Sequence, residues 1–148
     1  MNETWILCAS EIDSSGGSLR GAGIEIQVPE NAIAPGECTT VLVCASTKPS
    51  SLGKQSGLHF ISPIFDVECL PYVQLKKEVT LTIEHFALLE TERDLDDLVF
   101  LVSRSGEDFH QCGQVESQIG SRQAKVTVPH FCRFAMGKKN GESNTNIK

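Results

Sequence analysis

Positive charge is scarce in this chain: 13 lysines and arginines stand against 19 aspartates and glutamates, giving a net charge of −6 over 148 residues. The basic residues are scattered among acids, so the clustered positive face that a phosphate backbone requires is missing, and nucleic acid is not an expected partner. Nor is there a polybasic stretch to hold an anionic lipid surface. Long apolar runs are missing as well. None approaches the roughly 20 residues that span a bilayer, so direct membrane insertion is not expected. Met1 to Ala9 carry Trp5, Ile6 and Leu7 without a basic leader, which excludes a secretory signal there and makes the cytoplasm the expected location. No glycine-rich phosphate loop is read either: Gly16-Gly17 and Gly21-Ala22-Gly23 precede an alternating run, whereas a phosphate cradle needs a following helix N-terminus. No Ser-His-Asp set is read, and neither an enzyme nor a cofactor is expected.

What the chain does have is alternation at period two, which sends one residue of each pair to a core and the next to solvent. Ile24, Ile26 and Val28 alternate with Glu25 and Gln27; Val79, Leu81 and Ile83 alternate with Thr80, Thr82 and Glu84; Ala124, Val126 and Val128 repeat the pattern. Val41 to Ala45 and Leu98 to Val102 are apolar at almost every position, which predicts central strands covered on both faces. Turn formers recur at short intervals, among them Ser14-Ser15-Gly16-Gly17, Pro35-Gly36, Ser105-Gly106 and Gly120-Ser121. The expected fold is all-β, an antiparallel β-sandwich with short turns and at most one or two short helical turns, near Glu30 to Ile33 and within Ala87 to Asp97. A hydrophobic content of 40% suits one core. The expected organisation is an N-terminal strand or arm over 1–15, the sandwich over 16–136, and a polar tail or linker over 137–148. The six cysteines are expected as free thiols, with Cys44 and Cys69 as small buried hydrophobes.

Three stretches, in order, resemble the ZU-five domain shared by zonula occludens scaffolds, netrin receptors of the uncoordinated type, ankyrins and death-domain proteins. They are Gly16-Gly17-Ser18-Leu19 with Gly23 to Ile33, then Ile61 to Val67, then Leu75 to His85, an apolar alternation ending in a histidine. The resemblance implies a β-sandwich used for docking. The function expected from it is a non-enzymatic protein-interaction module in scaffolding or signalling, and the partner another protein or a neighbouring domain, such as a death domain or a cytoskeletal protein. As single Trp and single Tyr, Trp5 and Tyr72 are the candidate anchors for such an interface.

The alternative reading comes from Pro129-His130-Phe131-Cys132-Arg133-Phe134. Some members of the family that it resembles cleave themselves between Phe and Ser of a His-Phe-Ser motif, and this chain has Cys where they have Ser. A thiol attacking the preceding carbonyl forms a thioester that water then hydrolyses. On that reading His130, Phe131 and Cys132 form the catalytic set, and the cut falls between Phe131 and Cys132. The pairs His110-Gln111-Cys112 and His130-Phe131-Cys132 also put His and Cys on one face of a strand. They are the residues a zinc site would draw on, but paired zinc ligands commonly have two to four residues between them and these pairs have one, and no metal is expected. Glu90 to Asp97 holds five carboxylates in eight residues, without the glycine of a calcium loop, and reads as solvated loop.

Overall fold

The computed structural model describes residues 4–46, 58–104 and 109–139. Eleven strands and one short helix occupy them: β1 (Thr4–Asp13), β2 (Gly17–Gly21), β3 (Ile24–Val28), β4 (Cys38–Ser46), β5 (Leu58–Phe60), β6 (Ile64–Leu70), β7 (Val79–Glu84), α1 (Glu92–Asp96), β8 (Leu98–Ser103), β9 (His110–Gln111), β10 (Gln123–Val128) and β11 (Arg133–Lys139). Every pairing is antiparallel. Sheet A runs β1-β4-β6-β11-β8-β9, with β5 also paired to β11, and sheet B runs β10-β7-β3-β2. The expected all-β sandwich is what the chain forms.

The alternating runs explain the packing. Ile24, Ile26 and Val28 of β3, Val79, Leu81 and Ile83 of β7, and Ala124, Val126 and Val128 of β10 are all buried on the inner face of sheet B. They meet Ile12, Val41, Val43, Phe65, Val67, Phe100 and Phe134 from sheet A. Phe100 and Phe134 stack with ring centroids 5.6 Å apart, and burial of each such ring contributes about 1.5–3 kcal/mol. The β1–β2 turn requires glycine at Gly16, whose φ is 79° and where an added Cβ would stand 2.5 Å from the Val28 carbonyl oxygen. Among the described residues no helix is long and apolar enough to cross a membrane.

The two apolar runs expected to be covered on both faces part company here. Every residue of β8 is buried. On β4 only the inward Thr39, Val41, Val43 and Ala45 are, while Thr40, Leu42 and Cys44 face outward and are half-buried. A second, smaller cluster accounts for the difference. Ile64, Val99, Leu101, Phe109 and Ala135, flanked by Leu58 and Phe60, cover the outer face of sheet A over β11 and β8 and stop short of β4.

The short helical turn expected within Ala87 to Asp97 is present as α1, and one boundary differs from the sequence reading. The acidic run is an ordered turn: Thr91 caps α1, its hydroxyl accepting from Asp94 N while the Asp94 carboxylate accepts from Thr91 N. Lys138 Nζ then reaches Asp94 Oδ1 at 3.4 Å. The expected tail begins at Gly137, yet β11 continues to Lys139 through pairing with β8 and β5; residues 140–148 lie outside the described residues.

Candidate functional site

Where β10 leaves sheet B and β11 enters sheet A, Pro129 to Cys132 cross from one layer to the other and form one wall of a cleft of about 1000 Å³. Asp66 to Cys69 of β6, the segment Tyr72 to Leu75, and Ser103 and Arg104 at the end of β8 complete it. The crossing is pinned by Val67 N, which donates to the Cys132 carbonyl at 3.0 Å. Arg133 begins β11 opposite Asp66 on one side and Ser103 on the other.

The sequence places His130, Phe131 and Cys132 together, and the structure shows what each one does. Phe131 is half-buried and packs on the main core. The Cys132 thiol is half-buried too, with its sulfur 3.8 Å from the Arg133 carbonyl. Burial pushes its pKa up to about 11, against smaller lowering influences from that backbone contact and from Arg104. At neutral pH the group is a thiol, and the nucleophile in such chemistry is the thiolate. His130 Nε2 lies 2.9 Å from an Arg104 guanidinium nitrogen. A guanidinium only donates, so Nε2 accepts and its lone pair is committed. Arg133 lies over the Phe109 ring, 5.4 Å from the centroid, and donates to Ser103 Oγ at 2.9 Å.

His110 and Cys112 sit at the far edge of sheet A, both exposed, with Cys112 N donating to the Phe100 carbonyl at 2.9 Å. Among the described residues no three His, Cys, Asp or Glu side chains gather as metal ligands, so the two His-x-Cys pairs do not assemble into one site. All six cysteines are free, with Cys8, Cys44, Cys69 and Cys132 half-buried and Cys38 and Cys112 exposed. Trp5 is 47% exposed and Tyr72 is 79% exposed, so neither belongs to the core.

His85, the histidine that ends the third family-like stretch, is fully buried. Its Nδ1 accepts from Ala87 N at 3.2 Å, its Nε2 has no hydrogen-bond partner, and burial followed by Arg122 holds its pKa below the usual histidine range. The neutral ring fixes the chain as it leaves β7. The only sequence signal for it was its place at the end of an apolar alternation.

These features define a class first: an antiparallel two-sheet sandwich with a cleft at the sheet crossing, in which the cysteine is held as a thiol and the histidine is engaged by an arginine. The ZU5 domain model matches residues 9–96, more than half of the chain, and the chain belongs to the ZU5 domain family. Among curated proteins none matches it. The matched stretch runs from within β1 to the end of α1, so Pro129 to Arg133 lie beyond it.

Proposed function

We propose that the chain is a non-enzymatic protein-docking module of a cytoplasmic scaffold or signalling assembly. The observation that carries this reading is the placement of Trp5 and Tyr72 in solvent, where large amphipathic rings can anchor an interface at little cost in conformational entropy. The six unpaired thiols agree with a reducing compartment. The raised pKa of Cys132 and the engagement of His130 support docking over self-cleavage.

The test places a photo-crosslinking phenylalanine analogue at position 5, at position 72, and at the exposed Gln27 on the outer side of sheet B as control. Discrete protein adducts from positions 5 and 72, absent from 27, are expected, with Trp5→Ala and Tyr72→Ala keeping the wild-type melting temperature. Absence of adducts, or unfolding of both alanine variants, would overturn the reading. The intact mass under denaturing, reducing conditions should be one full-length species of 16.1 kDa; two fragments meeting between Phe131 and Cys132 would replace docking by self-cleavage as the primary activity.

A further inference from the structure

Among the described residues, the outer face of sheet A is covered over one half and bare over the other. Residues opposite each other in an antiparallel pair share a face, so the registers assign the outward positions. Ile6 pairs with Cys44 and Cys44 with Asp66; Ala9 pairs with Leu42 and Leu42 with Glu68; Glu11 pairs with Thr40 and Thr40 with Leu70. The inward set, Ile12, Val41, Val43, Phe65 and Val67, is buried. The outward Ile6 is 71% exposed and Leu70 is 53% exposed. Across β1, β4 and β6 the only charged side chains are Glu11, Asp13, Asp66 and Glu68, with no lysine, arginine or histidine in any of the three strands.

We propose that this bare face docks a cationic amphipathic segment of another protein, which lays apolar side chains over Ile6, Leu42 and Leu70 and sets lysine or arginine against Glu11 and Glu68. The inference rests on the docking reading above and names the surface and the chemistry of the partner. Three observations select that occupant. The chain's own cover on the other half of this face shows the chemistry that fits: an aromatic, Phe109, with the cation Arg133 laid on its ring and placed opposite Asp66 across the strands. The dimensions suit a segment and not a whole domain, since three strands of this length present roughly 24 Å by 15 Å. The sign of charge then disfavours other occupants. Nucleic acid, an anionic lipid surface and a second copy of a chain of charge −6 would all bring negative charge to four carboxylates. The negative field is already felt locally. Burial, then Glu68, raises the pKa of Asp66, and burial followed by Asp66 and Glu68 raises that of Cys44.

The experiment titrates ¹⁵N-labelled protein with a synthetic peptide of alternating lysine and leucine, and in parallel with its glutamate–leucine and lysine–serine counterparts. Shift changes should concentrate on the amides of β1, β4 and β6 for the lysine–leucine peptide, weaken with added salt, and be absent with the acidic peptide. The lysine–serine peptide should bind more weakly. The double variant Glu11→Lys, Glu68→Lys should weaken binding by about tenfold, and should it fail to fold, Glu11→Gln with Glu68→Gln should still weaken it. Shifts centred on Glu90 to Asp97, insensitivity to either double variant, or the same amides responding to anionic vesicles or to self-association would overturn the proposal. Adducts at positions 5 and 72 with a silent face would remove this surface and leave docking standing; a responsive face without adducts would remove Trp5 and Tyr72 as anchors and leave this surface standing.

Discussion

The two halves of the outer face of sheet A are built from similar apolar strands and end differently. Over β8 and β11, Val99, Leu101 and Ala135 are buried because Phe60 at the end of β5 and Phe109 just before β9 pack on them, the two rings meeting edge to face at 5.3 Å. Over β1, β4 and the part of β6 beyond Ile64 nothing among the described residues does so, and the outward positions mix apolar and polar side chains with carboxylates. An antiparallel sheet tolerates a solvated second face, and the mixture of Thr40, Glu68 and Asp66 with Leu42 and Leu70 keeps that half compatible with water. The difference separates what holds the fold from what remains available to a partner. One half is structural, and its removal should unfold the domain; the other can be changed with little effect on stability.

The largest effect expected from that division is at Phe109, which is fully buried. Phe109→Ala removes the ring that Phe60 and Arg133 both contact and should cost about 3–5 kcal/mol. Leu70→Ala, on the bare half, should stay within about 0.5 kcal/mol. Urea unfolding of the two variants measures the contrast. Equal losses would mean that the bare half is also core.

A smaller effect should follow at Gly137, where β11 passes beneath the covered half. A Cβ there would stand 2.6 Å from Leu101 Cδ1 and 3.2 Å from the His59 carbonyl oxygen. Gly137→Ala should therefore destabilise by about 1–3 kcal/mol through overpacking. Leu101→Val in the same chain shortens the obstructing side chain and should recover part of the loss. A neutral Gly137→Ala would show the covered half to be loosely packed.

How far all this was legible in the sequence depends on distance along the chain. Three strands of sheet B, β3, β7 and β10, could be read from alternation alone, because each inner face needs only the period of its own residues. The unequal fates of β4 and β8 could not. Both read as apolar at almost every position, and what separates them is a cover carried by Phe60 and Phe109, which periodicity within β4 or β8 does not contain. The cleft follows the same rule. His130, Phe131 and Cys132 are contiguous and were found as a motif, whereas the contact of His130 with Arg104 joins residues 26 apart and emerges only when β8 and β11 pair. Burial of Cys132, which decides its protonation, is likewise a property of the sheet crossing.

The finest test lies on the boundary between the halves, at Asp66. Its pKa is raised by burial and by Glu68, while Arg133 across the strand pair offsets part of the rise. With the folded value above the ordinary aspartate value of about 3.9, the unfolded chain releases this proton first. Native stability from this group is then fully present below that value and lost as pH rises through the folded pKa, so at neutral pH the native state carries the whole penalty. Asp66→Asn removes the penalty together with the weaker attraction to Arg133. The variant should be slightly more stable than the wild type at pH 7, by an amount in the range of an exposed charge pair, about 0.2–1 kcal/mol. The gain should shrink toward pH 4, which paired melting curves across pH 4–7 can follow. If Asp66→Asn destabilises at pH 7 instead, Arg133 already neutralises the bare half, and the field proposed to draw a cationic partner is weaker than its four carboxylates imply.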